Sequence, residues 1–191
     1  MSSKSLALTS LMLAFVPLAA SVQGSPLRGS PGCLADGSGY FRARIRGAMS
    51  LDLDWHNAEL ECAGGARPDE GGIRVSFAGP LPGPGRRLRI VFGIAKTREG
   101  ENGHALPTNL TVIVEGAQRL FSTRGDDKCT VDSLRQEPLG AAYAPVRTYR
   151  VVGRGFCTEP ASGITRNERI VVTRFDFAGR IAFEQTLRSP K

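Results

Sequence analysis

Residues 41–56 read FRARIRGAMSLDLDWH, and their period decides the fold class. Phe41, Ala43 and Ile45 alternate with Arg42, Arg44 and Arg46, while Leu51, Leu53 and Trp55 alternate with Asp52, Asp54 and His56. Apolar residues at every second position set one face of a strand against a core and the other in water; a helix would repeat every 3.6 residues. If the two strands pair antiparallel, the arginines and aspartates share one wet face and neutralise one another.

The same period runs outward through Ile73, Val75 and Phe77, through Leu88, Ile90, Phe92 and Ile94, and through Leu110, Val112 and Val114. Further strands are expected at 120–123, 129–131, 149–157, 168–177 and 180–186, with Ala178 and Gly179 turning a hairpin between the last two. The stretch 131–136 reads as the one short helix, ended by Pro138. The longest breaks are GPLPGPG at 79–85 and the segment 96–109, and loops of this kind often carry function. About ten short strands divided by Gly and Pro clusters predict an all-β antiparallel sandwich, jelly roll or barrel.

Ahead of this pattern, residues 1–24 have the form of a cleaved signal peptide: Lys4, an apolar run over 6–20, then small residues at Ala19, Ala20, Ser21 and Gly24. The run is broken by Thr9, Ser10 and Pro17 and falls short of the roughly 20 apolar residues of a spanning helix. The expected product is an exported domain over 25–191, periplasmic or extracellular and not membrane-spanning. An outer-membrane barrel is set aside because three tyrosines and one tryptophan cannot build aromatic girdles.

Export makes the cysteines readable. Cys33, Cys62, Cys129 and Cys157 are an even set, for which two disulfides are the default in an oxidising compartment. The nearly matched intervals favour Cys33 with Cys62 and Cys129 with Cys157. Zinc is the competing use, but no two cysteines are two to four apart and His56 and His104 are not placed beside them. Each pair is followed by Phe-Ala-Gly, at 77–79 and 177–179, and then by Arg-Ile at 89–90 and 180–181. That echo makes two similar halves, 33–95 and 129–187, an alternative to an unrepeated domain.

Removing the leader takes one lysine from the 25 basic residues, leaving 24 against 18 acidic ones, a net charge of +6. The excess biases encounters toward anionic partners: an acidic glycan, a lipid headgroup or an acidic protein. Nucleic acid is not expected, because the sequence lacks a platform of interleaved aromatics and arginines. Arg86, Arg87 and Arg89, beside the GPLPGPG loop, are the candidates for unpaired charge contacting an anion. Asp52, Asp54 and His56 project from one strand face about 7 Å apart and are the weaker candidates for a cation or for acid and base chemistry. Arg124-Gly125-Asp126 spells an adhesive tripeptide that turn chemistry alone explains, and Asn109-Leu110-Thr111 is a glycosylation acceptor pattern.

No GxSxG, HExxH or phosphate-binding glycine loop occurs, and no cofactor is implied. The expected function is therefore a non-catalytic exported binding or envelope-associated module. The alternatives are a hydrolase using carboxylates such as Asp52, Asp54 or Glu61, and a secreted inhibitor presenting the 79–85 or 96–109 loop.

Overall fold

Phe41, Ala43 and Ile45 are buried while Arg42 and Arg44 are exposed, so the alternation of 41–46 becomes strand β1 (Tyr40–Gly47). Leu53 and Trp55 turn inward in the same way in β2 (Leu51–His56). The two strands pair antiparallel, with Arg42 opposite Asp54 and Arg44 opposite Asp52. The computed structural model describes residues 32–68, 71–117, 119–141, 144–165 and 167–184; the leader read at 1–24 lies outside them.

Nine further strands follow among the described residues: β3 (Glu61–Ala66), β4 (Ile73–Pro80), β5 (Arg87–Ile94), β6 (Gly103–Glu115), β7 (Arg119–Ser122), β8 (Cys129–Leu139), β9 (Val146–Cys157), β10 (Ala161–Gly163) and β11 (Arg169–Glu184). The described residues contain no α-helix, only a 3-10 turn at Asn57–Glu59, and no helix long and apolar enough to cross a membrane. The fold is thus all-β and antiparallel, as the period of two requires.

All eleven strands belong to one sheet in the order β2-β1-β11-β10-β7-β6-β5-β4-β3, with β8 and β9 forming a second bridge between β6 and β11. Two long strands make this possible. One edge of β6 pairs with β5, and the other pairs first with β8 and then with β7. One edge of β11 pairs with β1, and the other pairs with β10 and then β9. The ring β6-β8-β9-β11-β10-β7 folds the sheet over on itself in a sandwich-like wrap. The core holds an aromatic cluster from β1, β4, β5 and β11, in which Phe41 stacks on Phe77 at 5.1 Å, Phe77 meets Phe177 at 4.9 Å, and Phe92 meets Phe175 at 4.4 Å.

Both disulfides join the cysteines paired by spacing. Cys129–Cys157 links directly opposed residues of β8 and β9, and Cys33–Cys62 ties the segment before β1 to β3. Such bridges persist in an oxidising environment.

Three local expectations are corrected. Residues 131–136 are strand, not helix: a bulge between Val131 and Ser133 leaves Asp132 as an extra residue, so the buried positions fall at Val131, Leu134 and Gln136. A spacing of three then imitates a helical period. Ala178 and Gly179 are not a turn but lie inside the 16-residue β11. A Cβ on Gly179 would lie 2.5 Å from the Phe77 ring, so this glycine answers a close approach rather than a reversal. The break read at 96–109 ends early, because β6 starts at Gly103; its pattern is obscured by Ala105, which takes φ +49 opposite the β8 bulge. The echo after the cysteines also diverges here, since 77–79 leads into the β4–β5 hairpin while 177–179 runs straight on in β11.

Candidate functional site

The cation candidates on β2 are engaged by arginine. Asp54 accepts from Arg42 Nε at 2.9 Å, and Asp52 accepts from Arg44 Nε at 3.1 Å and Arg46 Nη2 at 2.9 Å. The hydrogen bond from Arg46 is the main cause that holds the Asp52 carboxyl below the usual range. His56 donates its backbone N–H to Glu59 at 3.0 Å at the start of the 3-10 turn. Among the described residues no group of three or more His, Cys, Asp or Glu side chains could hold a metal ion.

The anion candidates divide. Arg87 and Arg89 are not left with unpaired charge. Glu61 receives Arg87 at 2.8 Å and Arg89 at 3.4 Å, and Glu115 receives Arg89 at 2.7 Å and Arg87 at 3.4 Å. The cause is the register, which sets β6 beside β5 with Glu115 directly across from Arg87. Arg86 stays exposed, with no ion pair among the described residues, at the end of a turn closed by Leu81 N–H donating to Arg86 C=O at 2.9 Å. Asp126 of the RGD tripeptide is committed inward, accepting from Arg67 Nη1 and from Asn109 Nδ2 at 2.7 Å. The same bond occupies the Asn109 amide of the glycosylation pattern.

The loop after β5 is clamped. Gln136, 5% exposed, donates from Nε2 to the carbonyls of Arg98 at 2.8 Å and Glu101 at 2.6 Å, and its Oε1 accepts from Gly100 N–H at 3.1 Å. Glu99 pairs with Arg147 of β9, whose Nη2 donates at 2.7 Å. This hydrogen bond, ahead of other causes, lowers the Glu99 pKa from its ordinary 4.5. A depressed carboxyl stabilises the folded loop above its unfolded pKa, and that contribution is lost as pH falls through the folded value. Amide exchange at Gly100 is therefore expected to speed up as pH drops below about 4.5, after correction for intrinsic rates. Glu99→Gln should abolish that acid step; a step of the same size in the variant would refute the assignment.

Unpaired charge gathers instead on the outer face of β8, β9 and β11, which sequence reasoning did not single out. There a groove of about 720 Å³ is lined by Tyr40, Asp132, Arg135, Arg154, Phe156, Arg174 and Asp176, among others. Arg154 and Arg174 are exposed, and their side chains make no hydrogen bond or ion pair among the described residues. Phe156 is 38% exposed, whereas most phenylalanines of the chain are in the core. Strand β9 reverses the usual arrangement: Gly153 and Gly155 point inward under Phe177 and Phe175, and Val152, Arg154 and Phe156 point outward. The Phe177 ring at position 153, and the Thr130 carbonyl with the Phe175 ring at position 155, leave no inward room for a Cβ, so within VVGRGFC the long side chains of Arg154 and Phe156 stand on the outer face. Glycines alternating with Arg and Phe were the signal for this face in the sequence.

Pairing sets the neighbours. Arg154 lies opposite Asp176 of β11 and Ser133 of β8. Arg42 approaches Asp176 at 3.9 Å and its guanidinium lies 4.9 Å from the Tyr40 ring centroid. Burial, then the Asp176 charge, pushes the Tyr40 phenol up from its ordinary value of 10. Arg135 is drawn to Glu137 at 3.1 Å in an exposed pair, of a kind that competes weakly with a ligand.

Comparisons of the chain with protein-family models, with curated proteins and with solved structures returned no match.

Proposed function

We propose that this chain is an exported, non-catalytic binding module that holds an anionic ligand in the groove between β8, β9 and β11. The single observation that carries the reading is a pair of arginines, Arg154 and Arg174, unpartnered among the described residues and lining one concavity with the exposed Phe156. Guanidinium groups without carboxylate partners are poised for carboxylate, sulfate or phosphate oxygens. The leader and the two disulfides support a periplasmic or extracellular setting. Asp52, Asp54 and Glu61 are each bound by arginine, which weighs against their use as the hydrolase's free acids. The inward-turned carbonyls of Arg98 and Glu101 weigh against the 96–109 segment, one of the two loops considered, as an inhibitor loop that offers its main chain to a partner's cleft.

The test is anisotropy with labelled polyanions: dextran sulfate, polygalacturonate and phosphatidylglycerol vesicles, with neutral dextran as the control. At least one anion should bind, weaken as salt is raised, and lose at least tenfold in affinity in R154E/R174E while R86E retains it. Equal binding by R154E/R174E, or no anion bound by the native chain, would overturn the reading.

A further inference from the structure

Resting on that reading of the groove, the geometry points to an acidic oligosaccharide of uronic acid units as the ligand. Phe156 stands two residues from Arg154 on β9, about 7 Å along the strand. Continuing the register in which Phe175 faces Gly155 brings Arg174 of β11 beside Phe156. An exposed apolar plate therefore has one arginine next to it along its own strand and another across from it. A pyranose ring has the matching form, with an apolar C–H face for the phenyl ring and a carboxylate at its edge for bidentate arginine.

The remaining groups separate a sugar from a dense polyanion. Among the described residues three arginines line the groove, Arg135, Arg154 and Arg174, against two carboxylates, Asp132 and Asp176, an excess of one positive charge. Tyr40, Ser133 and Thr173 add hydroxyls. A phosphate polymer or an anionic membrane would meet both aspartates as like charges. A uronate brings one anion with several hydroxyls, which donate to the carboxylates and leave the arginines for its own charge. The alternation also continues past the groove: an adjoining depression of about 170 Å³ shares Arg174 and Asp176 and is lined by Arg42, Arg44, Asp52 and Asp54. There Arg42 and Arg44 are already paired with Asp54 and Asp52, so a neighbouring sugar unit would meet the shared Arg174 and otherwise a neutralised polar surface suited to its hydroxyls, and the site has room for a chain of sugars rather than one.

The experiment titrates the oxidised chain with labelled oligogalacturonate and oligomannuronate, with their methyl esters, and with dextran sulfate and phosphatidylglycerol vesicles. At least one uronate should bind. Its methyl ester, R154A/R174A and F156A should each weaken binding at least tenfold, while the variants keep the native unfolding midpoint to within a few degrees. Equal binding of acid and ester, or full binding by F156A, overturns the uronate. If sulfate or vesicles bind through Arg154 and Arg174 and neither uronate does, the uronate falls and the anion site stands. If no probe binds, both fall.

Discussion

Gly153→Ala and Gly179→Ala are each expected to lower the unfolding free energy by about 1–3 kcal/mol, the range for overpacking a close-packed interior. A Cβ at position 153 would lie 2.5 Å from Phe177 Cζ, and one at position 179 would lie 2.5 Å from Phe77 Cε1 and 3.3 Å from Cys33 Sγ. Neither ring has room to retreat. Phe177 is backed by Phe92 at 5.7 Å, Phe77 is backed by Phe41 at 5.1 Å, and the two meet each other. Relief has to come from parting strands, which also breaks ladder hydrogen bonds. Urea titration should show a lower midpoint at unchanged slope. Gly153→Ala/Phe177→Leu should recover part of the loss, because the smaller side chain vacates the contested space. A midpoint unmoved by either glycine substitution would mean that the rings are not packed as described.

Reducing both disulfides is expected to have the largest effect on stability. With separations of 29 and 28 residues, each bridge contributes about 3.5 kcal/mol by unfolded-chain entropy. Together that is about 7 kcal/mol, of the same size as the whole stability of a typical domain. The two should differ in character. Cys129→Ala/Cys157→Ala removes a link within the β8–β9 ladder, whose hydrogen bonds remain. Cys33→Ala/Cys62→Ala leaves the segment before β1 held chiefly by Asn57, which accepts from Leu34 N–H at 2.7 Å and Gly39 N–H at 3.1 Å. Amide exchange in 33–39 should rise in the second variant and not in the first. Thermal unfolding with and without reductant gives the total; an equal midpoint in both would remove the disulfides from the account of stability.

That the arginine row of β1 and the aspartate row of β2 share one wet face was legible, because residues of opposite sign alternated on adjacent segments; which charges meet was set by the register. The cysteine pairing was legible from interval alone. The helix read at 131–136 failed for a physical reason: a bulge at Asp132 shifts the inward positions by one, and spacing cannot tell that shift from a helical turn. The hairpin read at Gly179 failed because a glycine demanded by a neighbouring ring looks in sequence like one demanded by a turn.

The binding face is the clearest division. Arg86, Arg87 and Arg89 looked free beside a Gly and Pro loop. Glu115 lies far along the chain, yet β5–β6 pairing sets it opposite Arg87 and within reach of Arg89. Arg154 and Arg174 looked unexceptional as isolated basic residues, and β9–β11 pairing sets them around Phe156 in one groove. The sequence by itself determined the period of two, hence strands with one wet face, and the four cysteines that staple them. Only the tertiary structure decided which charges are neutralised and which remain, because a side chain's partner across a sheet is set by register between strands distant in the chain, and a slip of two residues would change every pair while leaving the alternation intact.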